Sequence, residues 1–172
     1  MIIFCSKALQ TALKLTKNDM IDSESIQESD FYSWHGHVAK VNGRNTIVLM
    51  NDKTMYCLLF RNKLPRTASR FSELIKEAIP YTFEVANINS KEIEKYMENL
   101  GEIFYAEKPN RQMTGNITRL TLDMSYQWEF DWVENETIQA YEAGQQNQGL
   151  KKKGKEYVVP FEEMLKELCE LE

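Results

Sequence analysis

The dipeptide Asn42-Gly43, set between two stretches of β-branched and apolar residues, is the feature that most constrains this chain. A two-residue type I′ turn needs positive φ at both central positions, and Asn followed by Gly reaches it at little cost. The flanking segments therefore pair as a hairpin, and counting outward from the turn sets Val41 opposite Arg44, Val38 opposite Ile47 and Trp34 opposite Asn51. A second tight reversal fits at Asp52-Lys53, which would bring Asn51 opposite Thr54 and Ile47 opposite Leu58. The expectation is a three-stranded antiparallel meander over about residues 32–60.

Side-chain alternation sorts this meander into two faces. Trp34, Gly36 and Val38 share one with Leu49, Ile47, Tyr56 and Leu58, leaving a gap at the glycine for neighbouring rings to cover. His35, His37 and Ala39 share the other with Met50, Val48 and Cys57. Both faces are largely apolar, so further elements should cover each.

Several such elements are readable. Residues 2–5 suit a short buried strand, and Ser6 can cap a helix carrying Leu9 and Leu13. Polar residues from 16 to 30 suggest a surface loop. Pro65 can open a helix to about Ile79 that Pro80 ends, and Asn89 a helix that stops at Gly101. Ile103 to Ala106 reads as a short strand. Over 119–132, Leu120, Leu122, Met124, Tyr126, Trp128, Phe130 and Trp132 alternate with polar residues, which predicts a long strand. Ile117, Leu120 and Met124 also fit a helix, but the longer alternation favours the strand.

Residues 144–155 have the composition of a flexible linker, followed by an amphipathic helix with Phe161, Met164, Leu165, Leu168 and Leu171. The expected architecture is α+β: an antiparallel sheet built around the meander plus the long strand, packed with several helices. Residues 1–143 would form one domain, and 144–172 an appendage able to dock on this chain, on a protein partner or on a second copy.

A formal charge of −5 gives no global attraction for nucleic acid or anionic membranes. Cys5, Cys57 and Cys169 lie in apolar stretches with no C-x-x-C pair, which suits buried thiols in a reducing compartment. No basic leader precedes the first apolar run, and no stretch nears the roughly 20 apolar residues of a spanning helix. A cytoplasmic location away from membranes is the expectation.

No phosphate-loop, zincin, hydrolase-elbow or dinucleotide motif occurs, so no motif calls for a catalytic set or a cofactor. His35 and His37, the chain's only histidines, project from one face of a strand about 7 Å apart, a spacing that two metal ligands can use. A third ligand is missing: Cys57 shares the His37 row but lies two strands, about 10 Å, away. Hydrogen-bonded sheet histidines are the commoner arrangement. Asn51-Asp52-Lys53-Thr54 could hold a phosphate, metal or carboxamide, although these residues also favour turns. Arg111 and Arg119 flank a loop in which an arginine could clamp an anion. Rings over 120–132 and the lysines at 151–153 could serve single-stranded nucleic acid, against the acidic balance.

The opening Met-Ile-Ile-Phe-Cys-Ser-Lys-Ala-Leu, Ser33-Trp34-His35 leading to Arg44-Asn45, Met50-Asn51-Asp52-Lys53-Thr54, and Asn110-Arg111 with Gly115-Asn116 resemble an uncharacterised bacterial family of unknown function. Its members occur alone or joined to domains of mobile-element type. The resemblance covers about residues 1–130 and implies no activity, cofactor or catalytic residue. It draws attention to Trp34, Arg44, Asn51, Asp52 and Thr54 near the two turns.

The candidate binding residues are thus Trp34, His35, His37, Arg44, Asn51, Asp52, Thr54 and Arg111. The favoured function is non-catalytic binding or protein interaction through the sheet edge, the Trp34 cluster or the last helix. The alternatives are a metal-dependent hydrolase or nuclease using His35, His37 and Asp52, and a single-strand nucleic-acid binder.

Overall fold

A computed structural model describes residues 1–22, 29–107, 110–127 and 132–171. Strand β1 (Ile2–Cys5) leads into α1 (Lys7–Leu13), capped by the Ser6 hydroxyl, which accepts from the Leu9 amide. Next come β2 (Ser33–Val41), β3 (Arg44–Asn51) and β4 (Cys57–Phe60), then α2 (Ala68–Val85), α3 (Ser90–Asn99) and β5 (Phe104–Ala106). The chain ends with α4 (Arg111–Tyr126), α5 (Ala140–Gln148), a small hairpin of β6 (Lys151–Lys153) and β7 (Glu156–Val158), and α6 (Pro160–Cys169).

The fold is α+β. Its sheet has five strands in the order β4-β3-β2-β1-β5 and is mixed rather than antiparallel: β1 runs parallel to both β2 and β5. Strands β2 and β3 pair in the register counted from Asn42-Gly43, with Trp34 opposite Asn51. Asn42 and Gly43 adopt φ of 49° and 75°, the positive values that a type I′ turn requires.

The second reversal is longer than a two-residue turn. Strand β4 begins only at Cys57, and Ile47 pairs with Phe60 rather than Leu58. The cause is the Asn51 side chain, whose Oδ1 accepts from the Lys53 and Thr54 amides and the Thr54 hydroxyl, while Met55 turns at φ 64°. Displacement by two residues preserves the faces, so Tyr56, Leu58 and Phe60 stay with Trp34, Ile47 and Leu49. It also moves Cys57 from the His37 row to the His35 row, through Met50.

One face, with Ile3, Trp34, Ile47 and Leu49, packs under α1, α2, α3 and α6. The other, with Val48, Met50, Cys57 and Leu59, packs under α4 and α5. Residues 119–126 are the end of α4, not part of a strand. Met113, Ile117, Leu120, Thr121 and Met124 bury at helical spacing, whereas the alternating positions Leu122 and Tyr126 are 49% and 78% exposed. Trp128 and Phe130 lie outside the described residues.

Helix α2 continues through Pro80, because Ala78, Ile79, Thr82 and Phe83 carry one buried stripe past it. That burial outweighs the backbone hydrogen bond which proline removes. The stretch read as a linker instead contains the last turns of α5 and the β6–β7 hairpin. Beyond it, α6 turns Met164 and Leu168 into the main core.

Candidate histidine cleft

Strand β1 lies between its two parallel neighbours, and the chain leaves it toward β2 on one side and returns as β5 on the other. Such a switch point opens a crevice beyond the carboxyl ends of the parallel strands, a common place for ligands. A cleft of about 160 Å³ occupies this position, with Ser6, Lys7 and Glu107 at the strand ends, His35 and His37 on β2, and Asn110 at the start of α4.

Each histidine is held by a different partner. The Nδ1 of His35 lies 2.6 Å from Asp52 Oδ1, and the Asp52 amide donates to the Ser33 carbonyl, which fixes the turn beside β2. A carboxylate only accepts, so Nδ1 carries the proton and Nε2 is left with its lone pair in the neutral ring. The residue is 6% exposed, its ring packs 5.0 Å from that of Phe4, and Nε2 is buried with no hydrogen-bond partner. An unmet buried polar atom costs about 1–3 kcal/mol, so this nitrogen is the least satisfied group of the cleft.

His37 is half-buried, and its Nδ1 lies 2.9 Å from Ser6 Oγ. Ser6 Oγ also accepts from the Leu9 amide at 3.3 Å, and when its own proton is given to the ring, Nε2–H of His37 is left as a donor. Burial holds His37 below the ordinary imidazole range, so it is neutral at neutral pH. The Ser6 amide also donates to the Gly36 carbonyl at 2.9 Å, locking the end of β1 against β2. At the rim Lys7 pairs with Glu107 at 2.7 Å, and the hydrogen bond that Lys7 donates, with its charge added, holds the Glu107 carboxyl below its usual range.

The remaining candidates fall elsewhere. Trp34 is fully buried, its Nε1 donating to Tyr96 Oη. Asn51 and Thr54 are also buried, and Asn51 Nδ2 donates to the Phe31 carbonyl at 2.8 Å, so these two shape the turn. Arg44 is exposed at the start of β3, reaching Asn62, and Arg111 is exposed in the first turn of α4 beside Asn110. Asp52 serves His35, and among the described residues no group of three His, Cys, Asp or Glu side chains gathers to hold a metal.

Both edges of the sheet have neighbours among the described residues. The β4 edge is capped by Asn147, whose side chain both accepts from and donates to the Cys57 backbone, and by Ile138 bridging Phe60. Ile21 bridges Ala106 along β5. Two of the three lysines of β6 are engaged, Lys151 beside Cys57 Sγ and Lys153 with Glu163.

Sequence reasoning missed Ser6 as the partner of His37, together with Glu107 and Asn110. Ser6 and His37, 31 positions apart in the chain, meet only because β1 inserts parallel to β2, and no local pattern signals that. A family model described as "Domain of unknown function (DUF6933)" matches residues 2–163. The chain belongs to this family. No curated protein and no solved structure matches it. No helix among the described residues is long and apolar enough to cross a membrane.

Proposed function

We propose that this DUF6933 domain is a binding module that takes a small polar ligand in the histidine cleft. The observation that carries the reading is His35 Nε2, buried and unpartnered, on a ring oriented from its other side by Asp52. Beside it His37 offers a donor, so the pair presents one acceptor and one donor on the same strand face, suited to an uncharged amide or a similar group bearing both. Three unbridged thiols agree with work in a reducing compartment. Soaking crystals with a panel of small amides and hydroxyl compounds tests it: ligand density against His35 and His37 is expected, lost in Asp52→Asn. Hits that gather elsewhere, or none at millimolar concentration, would overturn it.

One observation favours a catalytic reading. Ser6 Oγ and His37 Nδ1 stand at the separation of a nucleophile and its base, on a strand-to-helix turn. Covalent labelling of Ser6 by a fluorophosphonate, abolished in His37→Gln, would establish it, and an unlabelled native protein would exclude it.

A further inference from the structure

Outside the histidine cleft, a second pocket of about 280 Å³ is lined by Arg44, Arg61, Asn62, Trp132, Val133 and Glu134. Arg61, the residue after β4, is 6% exposed. Its guanidinium lies 4.4 Å over the Trp132 ring, and Nη2 donates to the Val41 carbonyl at 3.1 Å. Its Nη1 is buried without a hydrogen-bond partner, and Arg61 makes no ion pair among the described residues.

A guanidinium out of water and unmatched by a carboxylate is costly, and arginine forks suit planar or tetrahedral oxyanions. Arg44 stands at the same pocket, close enough that its charge opposes that of Arg61, and two cations held together call for an anion between them. Burial, with that repulsion added, pushes the Arg61 pKa down, and Glu142 on α5 offsets this in part. Asn62 is occupied, accepting from Arg44 and donating to the Glu136 carbonyl, so it shapes the wall. Glu134 supplies the negative charge of the lining, which limits the size and charge of what can enter.

We propose that this pocket binds a small oxyanion group, a phosphate or a carboxylate, between the Arg61 Nη1 edge and the Arg44 guanidinium. The site is independent of the histidine cleft, since the two share no lining residue.

The test titrates inorganic phosphate and, separately, acetate into the full chain at low ionic strength, following arginine side-chain and Trp132 signals by NMR with calorimetry alongside. Saturable shifts of Arg61 and Trp132 are expected. Tighter binding of phosphate assigns the site to phosphate esters, and equal or tighter binding of acetate assigns it to carboxylates. Arg44→Ala changes an exposed residue and should leave the fold intact while weakening binding about tenfold, the loss of one charge-assisted hydrogen bond. Arg66→Ala, outside the pocket, should leave binding unchanged. Absence of a saturable Arg61 shift with either anion overturns the proposal, as does equal weakening by Arg44→Ala and Arg66→Ala.

Discussion

Gly36→Ala is the most telling single change in this fold, because Gly36 stands between the two cleft histidines and under α1. An added Cβ would fall well inside contact distance of Leu9 Cδ2, at 3.0 Å from Leu49 Cδ2 and 3.5 Å from Ile3 Cγ2. All three neighbours are fully buried, so none can swing into solvent. Overpacking of this kind costs about 1–3 kcal/mol, while losing glycine's freedom in the unfolded chain returns about 0.4–1 kcal/mol. The net expectation is a destabilisation of about 1–2 kcal/mol, or a Tm lower by about 2–8 °C for a chain of this size. Urea unfolding of Gly36→Ala, Leu9→Ala and the double variant measures it. Leu9→Ala alone should cost about 2–5 kcal/mol, and much less in the Gly36→Ala background, because the alanine methyl fills the vacated space. Strict additivity, or a Gly36→Ala protein as stable as the parent, would refute the close seating of α1 on β2.

Asn147→Ala strips both side-chain bonds from the Cys57 backbone and should cost about 2–4 kcal/mol in urea unfolding, whereas a loss under 0.5 kcal/mol, about the size of an ordinary surface substitution, would mean α5 does not cap the β4 edge. Burial depresses the folded pKa of His37, so its contribution is complete above the unfolded value near 6.5 and is lost as pH falls below it. The stability difference between parent and His37→Gln should therefore shrink on acidification through about pH 6, and a difference independent of pH contradicts this. With Cys5 pushed up to about 12, Cys57 also raised by burial, and Cys169 exposed, a thiol reagent at neutral pH should titrate one thiol quickly in the native chain and three in urea. Two fast thiols would show that the sheet opens.

Much of the backbone plan was legible because its signals are local. Asn42-Gly43 fixed one register, Asn89 and Ser6 announced helix starts, and alternation sorted the sheet faces even where the second turn was read too short. That turn failed because the Asn51 side chain, not a two-residue backbone turn, closes the loop. The 119–132 segment misled for a different reason: a helix with polar residues between its buried stripes can alternate by accident, and only contact with β2 and β3 separates the two periods. His35, His37 and Asp52 were legible as candidates, but their partners were not. The Ser6–His37 contact and the cleft itself arise from β1 entering between β2 and β5, a long-range event with no local sequence mark.

With only two histidines in the chain, long-range ¹H–¹⁵N imidazole spectra give a direct reading of the cleft. At neutral pH His35 should carry its proton on Nδ1, facing Asp52, His37 should be neutral, and a bound amide should shift His35 Nε2. A His35 protonated on Nε2 alone, or two imidazoles indifferent to every ligand that binds the protein, would contradict it.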